Sequence, residues 1–213
     1  MNFYPIKFPY IFQRAFPSLV FYKPPKEKKI YLSFDDGPTP EITDWVLHEL
    51  QKYNAKATFF CIGKNVEKNP DIFGRIISKN HQIGNHTYEH SKGWKTDTKQ
   101  YIESVLRTES LLKKYLLSNS AKKLFRPPYG RIKLKQIKAL KKLNYQIVMW
   151  TTVTGDYAAS INIEHNIQKI LQKIKPGHIL VFHDSKKAFP QLKQILPKVL
   201  EELDRRSYQF DIL

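Results

Sequence analysis

An α/β fold of parallel strands with outer helices is predicted by three features of the 213-residue sequence. Short runs rich in branched and aromatic residues, at 30–35, 57–62, 145–150 and 179–183, alternate with stretches whose apolar residues recur at helical spacing. Strands joined by helices of this length are crossover-connected, and so run parallel. The polar residues with chemical capacity, Asp35, Asp36, His86, Arg126, Asp156 and His183, fall at or just beyond the ends of strands, where parallel sheets collect their chemistry. A barrel and an open sheet both satisfy these features.

The chain opens on an apolar stretch interrupted by Arg14 and Pro17, with aromatics Phe8, Tyr10, Phe12, Phe16, Phe21 and Tyr22. It has neither the long apolar run of a membrane span nor the small-residue site of a cleaved signal. Packing beneath the domain is expected for it, contact with a membrane surface being the alternative. The expected location is the cytoplasm by default, with membrane or envelope association through this stretch as the other reading. A polar joint from Pro24 to Lys28 then leads into the first strand, giving a segment 1–28 and a single domain 29–213.

Strand 30–35 ends in Asp35-Asp36-Gly37-Pro38, and Thr39-Pro40-Glu41 opens a helix with Thr39 as N-cap and Trp45, Val46 and Leu50 on its apolar face. A buried strand at 57–62 carries Cys61, read as a small core residue, and a helix follows at 70–79. A short strand near 81–86 breaks into a loop at His86, and a long amphipathic helix runs over 97–117. A brief strand at 124–125 stops at Arg126-Pro127-Pro128-Tyr129-Gly130 and precedes a lysine-rich helix at 133–143. Strand 145–150, a loop at 151–160, a helix at 162–174, strand 179–183, a helix at 190–205 and a closing strand within 208–213 complete the reading.

Composition excludes several classes. A hydrophobic fraction of 41% with 13% aromatics argues against disorder. One cysteine allows neither an internal disulfide nor a cysteine metal cluster, so any metal must use His and carboxylate. The net charge of +17 predicts weak attraction to membrane surfaces, anionic wall polymers or nucleic acid. The lysines are spread along many segments and no nucleic-acid motif is present, so a specific nucleic-acid partner is not expected.

Adjacent strand residues point to opposite faces, so Asp35 and Asp36 can share a pocket only if the chain turns between them, and Gly37 is expected to ease that turn. Two carboxylates so placed offer one to hold a cation and one to move a proton. In His86-Thr87-Tyr88-Glu89-His90 one helical turn would aim two imidazoles at one point, and a carboxylate would complete an open three-ligand zinc site. The turn at Pro127-Pro128 is stiff enough to form a wall, and Arg126 before it can hold a carboxylate ionised. His183 ends an apolar strand, where Asp156 could raise its pKa and make it a general acid. Each segment also has a bland reading: a solvated turn, surface histidines, a structural ion pair, a buried neutral histidine.

Taken together the segments resemble the polysaccharide deacetylase family with the NodB homology domain, carbohydrate esterase family four. The motifs stand in the family's order: Ser33-Phe34-Asp35-Asp36-Gly37-Pro38, His86-Thr87-Tyr88-Glu89-His90, Arg126-Pro127-Pro128-Tyr129-Gly130, Trp150 through Asp156-Tyr157, and Val181-Phe182-His183. The resemblance implies a distorted (β/α) barrel, commonly of seven strands, and zinc, with cobalt as a substitute, held by Asp36, His86 and His90. It implies Asp35 as general base held by Arg126, His183 as general acid tuned by Asp156, and the backbone N–H of Tyr129 at the oxyanion. Pro128, Tyr129, Trp150 and Tyr157 would line the substrate pocket. Val153 and Tyr157 replace an aspartate and a tryptophan common in the family, and Val181 a leucine, which puts substrate choice in question rather than the acid, the base or the metal.

The activity implied is removal of N-acetyl groups from N-acetylglucosamine residues of peptidoglycan or a chitin-like oligomer. The alternatives are another acylated substrate, an O-acetyl ester or a non-sugar amide, and a glycan-binding barrel without turnover. Oligomeric state is left open by the sequence.

Overall fold

Strand β2, Lys29–Asp35, buries six of its seven residues because both of its faces are covered. Leu32 and Phe34 face outward to a helical layer, while Tyr31, Ser33 and Asp35 alternate inward. Phe34 stacks between Phe59 and Phe182, with ring centroids 5.1 Å and 5.4 Å away. Each such buried ring contributes about 1.5–3 kcal/mol, and the stack welds three neighbouring strands.

The computed structural model describes residues 16–24, 27–116, 122–158 and 161–213. The expectations for Phe8, Tyr10, Phe12, Pro25, Lys26, Leu117 and Ser160 lie outside the described residues. Beyond β2, the strands are β1 (Leu19–Val20), β3 (Ala57–Cys61), β4 (Gln82–Asn85), β5 (Lys123–Phe125), β6 (Tyr145–Val148), β7 (Thr152–Val153), β8 (Ile179–His183) and β9 (Gln209–Phe210). The helices are α1 (Ile42–Lys52), α2 (Gly63–Lys68), α3 (Pro70–Ser78), α4 (Thr98–Lys113), α5 (Leu134–Lys142), α6 (Ile163–Lys173) and α7 (Phe189–Arg205), with a 3₁₀ turn at Pro128–Gly130. No described helix is long and apolar enough to cross a membrane.

All strand pairs are parallel, in the order β1-β6-β5-β4-β3-β2-β8-β7, with β9 beside the start of β2. Strand β6 lies near one edge and β7 forms the other, yet only residues 149–151 separate them. One bent strand thus joins the two ends of the sheet and closes a distorted barrel. The change of partner is visible in the backbone: Met149 N–H donates to Val20 C=O (2.7 Å) and Thr151 N–H to Ile179 C=O (3.0 Å). The barrel interior holds Tyr31, Phe60, Leu124, Val148 and Ile179, capped by Leu213.

Among the described residues the sheet has nine strands rather than seven. The additional ones, β1 and β7, are two residues each, too short to show a period, and β7 lies within the expected 151–160 loop. The short helix α2 is likewise additional. Thr39 does not cap α1: the N-cap is Glu41, in the left-handed region at φ 67°, and Thr39 N–H donates to Thr43 Oγ1 (2.8 Å). Pro40 sets the entry, but the hydroxyl that serves the turn is one helical turn further on. Asp97 caps α4, its carboxylate accepting from Lys99 N–H (2.8 Å).

Candidate active site

The chemistry gathers at the carboxyl ends of β2, β4, β5 and β8. Strand β2 stops because Asp36 takes φ 86°, and this left-handed residue, not Gly37, swings the second carboxylate onto the same side as the first. Gly37 is required for a different reason. A Cβ there would lie 1.9 Å from Asp184 Oδ2, inside the space where the Asp184 carboxylate accepts from Gly37 N–H (2.9 Å) and Thr43 Oγ1–H (2.5 Å). Asp184 is fully buried, and desolvation, aided by the charge of Asp36 and opposed by the hydrogen bonds from Thr43 and Gly37, pushes its carboxyl up to about 8. It anchors the turn on which both site aspartates ride.

Asp36, His86 and His90 each present one ligand atom within 4.8 Å of the others. His86 and His90 do not lie on a helix. They flank a loop in which Thr87 and His90 are left-handed at φ 64° and 56°, and this curl, rather than a helical turn, aims both rings at Asp36. The loop is tied at every step: Thr87 N–H to Asn85 Oδ1 (2.9 Å), Ser91 N–H to Thr87 Oγ1 (2.9 Å), Tyr88 N–H to Ser104 Oγ (2.9 Å) and Gly63 N–H to Thr87 C=O (3.0 Å). His86 Nδ1–H donates to Arg126 C=O (2.8 Å), which leaves its Nε2 lone pair facing Asp36.

The donor set fits a divalent metal. Among the described residues, Asp36 Oδ1 is buried without a hydrogen-bond partner, 3.4 Å from His90 Nε2 and 3.8 Å from His86 Nε2, an orphaned acceptor among lone pairs that a cation would satisfy. Burial lowers both imidazoles, His90 to about 4, so each is neutral and able to ligate.

Arg126 is completely buried in the barrel, its guanidinium 4.0 Å from the Phe60 ring centroid. It donates to Asp35 Oδ1 (2.7 Å), Ser33 Oγ (2.8 Å), Met149 C=O (3.0 Å) and Val148 C=O (3.3 Å). Burial alone would raise the Asp35 carboxyl, but the charge and hydrogen bond of Arg126, with the charge of His183, hold it below the ordinary value. Asp35 is therefore an ionised carboxylate with one oxygen fixed and Oδ2 left for a proton.

Asp156 grips His183 twice, accepting from its backbone N–H (2.7 Å) and from Nδ1–H (2.8 Å). Burial would lower this imidazole, yet the Asp156 carboxylate, by charge and hydrogen bond, overrides it and raises the pKa to about 9. Tyr157 meets the His183 ring edge-on at 5.3 Å. Tyr129, left-handed at φ 59°, sets its ring tilted against His90, centroids 4.6 Å apart, and is 54% exposed at the mouth. Pro128 is buried in the stiff turn. Trp150 lies under that turn, and a Cβ on Gly130 (φ 65°) would meet its ring at 2.5 Å. Sequence reasoning overlooked Ser33, Asn85 and Asp184. Their only local signal is adjacency to chemically active neighbours.

The polysaccharide deacetylase family model matches residues 22–148, more than half of the chain. The chain belongs to the polysaccharide deacetylase family. A peptidoglycan-N-acetylglucosamine deacetylase of Bacillus cereus is 33% identical over 189 residues, covering 88% of this chain and 87% of that protein. A chitooligosaccharide deacetylase of Azorhizobium caulinodans is 30% identical over 158 residues, covering 74% of each. Among solved structures, the Bc1960 peptidoglycan N-acetylglucosamine deacetylase superposes with a TM-score of 0.86 at 32% identity, over 96% of this chain and 94% of that one. This polysaccharide deacetylase is thus a hydrolase of a metal-dependent family, with an Asp-His-His cluster able to hold the metal.

Proposed function

We propose that this deacetylase removes the N-acetyl group from N-acetylglucosamine residues of a glycan, peptidoglycan or a chitin-like oligomer, with zinc as its metal. The observation that carries the reading is the convergence of the Asp36-His86-His90 cluster with an Arg126-held carboxylate, Asp35, and an Asp156-held imidazole, His183. Bound by Asp36 Oδ1 and the Nε2 atoms of His86 and His90, zinc would supply Lewis-acid activation of water and of the acetamide carbonyl.

The chain's own groups do the rest. Asp35 Oδ2 takes a proton from the attacking water, while Arg126 keeps Oδ1 fixed and the group ionised between turnovers. The Tyr129 backbone N–H is assigned to the oxyanion that forms as water adds to the carbonyl carbon. His183 carries its second proton on Nε2, since Nδ1–H is committed to Asp156, and delivers it to the sugar nitrogen as the C–N bond breaks. Acetate and a free amine result.

The test is acetate release from N-acetylglucosamine oligomers and from peptidoglycan, using chelated protein before and after zinc or cobalt is restored. Release that returns with metal supports the reading. No release from either substrate with metal bound stoichiometrically would replace it with another acylated substrate or a silent barrel.

A further inference from the structure

The loop that carries His86 and His90 hangs from Asn85, the last residue of β4. Asn85 is buried and its amide is fully engaged: Oδ1 accepts from Thr87 N–H (2.9 Å), and Nδ2 donates to Val105 C=O (2.9 Å) and to Tyr145 Oη (3.2 Å). A planar amide bonded at two points can still rock about the line between them, whereas a third bond fixes its plane. The third bond here is to Tyr145, at the start of β6 and 60 residues away in sequence.

Tyr145 is able to accept from Asn85 because its own proton goes elsewhere. A hydroxyl has one proton, and Tyr145 Oη–H donates to Glu109 Oε2 (2.9 Å). Burial and the Glu109 charge push the phenol above its ordinary value, so that proton stays in place. Burial alone would also raise the Glu109 carboxyl, but the ammonium groups of Lys113 (2.7 Å) and Lys123 (2.8 Å) hold it below its ordinary value, an ionised acceptor. Glu109 lies on α4 one turn beyond Val105, so the Asn85 amide is braced between a helix and a strand. The dipoles run in one direction, from the two lysines through carboxylate, phenol and carboxamide to Thr87. There the left-handed turn is closed by Ser91 N–H on Thr87 Oγ1 (2.9 Å).

We propose that Tyr145 and Glu109 are positioning residues for the metal: acting through Asn85, they set the curl of residues 86–90 and with it the aim of the two histidine Nε2 atoms. The inference rests on the reading of Asp36, His86 and His90 as metal ligands. Neither Tyr145 nor Glu109 is a candidate ligand, acid or base, so both act at one remove. Groups that orient a metal's ligands in this way contribute about 10- to 100-fold to metal affinity.

Cobalt affinity is measured by competition with a chelator, together with the absorption spectrum of the cobalt-loaded protein, which reports ligand geometry. Tyr145→Phe removes only the hydroxyl and is expected to weaken cobalt binding at least about tenfold and to change the spectrum. Glu109→Gln loses the charge but keeps an oxygen for the phenolic proton, and should cost less. The double variant should bind as Tyr145→Phe does, because the two residues act in series. Tyr101→Phe is the control. Its hydroxyl is buried in the same aromatic cluster, edge-on to Phe125 as Tyr145 is, and has no hydrogen-bond partner among the described residues. Its loss should leave cobalt affinity within about twofold. Urea curves of the metal-free proteins select conditions in which every variant is fully folded, so that lower global stability by itself moves none of these readings.

Unchanged affinity and spectrum in Tyr145→Phe, or losses that add in the double variant, overturn the inference and leave the metal cluster standing. Should Tyr145→Phe not fold, Glu109→Gln decides: weakening by about threefold or more supports the inference, and unchanged affinity overturns it. Failure of the unsubstituted protein to take up cobalt stoichiometrically overturns the metal reading and this inference with it.

Discussion

Replacing Arg126 by methionine, close in volume but without charge, tests whether the base is held by a buried ion pair. The guanidinium has no exposed surface and the Asp35 side chain only 5%, so the pair has no water to fall back on when one partner goes. Removing one member of such a pair costs about 3–5 kcal/mol, because the survivor remains buried and charged. That is a large share of the roughly 5–15 kcal/mol that stabilises a domain. The double variant Asp35→Asn, Arg126→Met removes both charges together and should recover at least about 2 kcal/mol relative to the sum of the single losses.

Urea unfolding of metal-free protein reads these values without the linkage that a bound ion would add. The pH dependence follows the same pair. The Asp35 pKa is depressed in the folded state, so its contribution is present above its unfolded value of about 3.9 and is lost as pH falls through the lower folded value. Arg126→Met should flatten that acid limb and lower acetate release by about 10²–10⁴, the range a general base contributes. Additive losses in the double variant, or near-normal turnover of Arg126→Met, would refute the argument that Arg126 holds the base.

Three further outcomes are expected. After dialysis, Asp35→Asn should retain metal and lose acetate release, whereas His86→Ala and His90→Ala should lose both, as read by metal content. With His183 raised to about 9, activity should fall on the alkaline side near that pH, and Asp156→Asn should pull the fall toward about 6.5, the unperturbed imidazole value. Gly37→Ala should cost about 3 kcal/mol in urea and weaken metal retention, since its Cβ would stand 1.9 Å from Asp184 Oδ2.

The residues of the candidate site were legible because each sits in a short contiguous run at a strand end, where Asp35, His86, Arg126 and His183 break an apolar pattern. Their geometry was not. Nothing in the histidine pair's four-residue spacing distinguishes a helical turn from the curl that the structure uses, and that curl depends on Asn85 and Thr87, whose contribution is hydrogen bonding rather than charge. Asp184 was hidden because its partners, Gly37 and Thr43, lie more than 140 residues away in sequence. Strand alternation predicted parallel pairing but could not choose between barrel and open sheet. That choice is made by residues 149–151, where one strand exchanges partners, an event with no periodic signature.

Four residues of the site, Asp36, Thr87, His90 and Tyr129, occupy the left-handed region without being glycine. Such residues cost of order 1–3 kcal/mol each and persist only where the surroundings over-determine them. Here the surroundings do: Asn65 Nδ2–H holds Asp36 C=O (2.7 Å), Gly63 N–H holds Thr87 C=O (3.0 Å), and Gly130 N–H closes the Tyr129 turn onto Pro127 C=O (2.9 Å). All of these bonds are protein to protein, so the chain itself can hold the curl of the candidate ligands. Native-state hydrogen exchange should therefore find the Gly63, Thr87 and Ser91 amides as protected in chelated protein as in metal-loaded protein, once the two are matched for global stability. If chelation exposed those three amides selectively, the metal would be shaping the loop, and the account of a preformed site would fail.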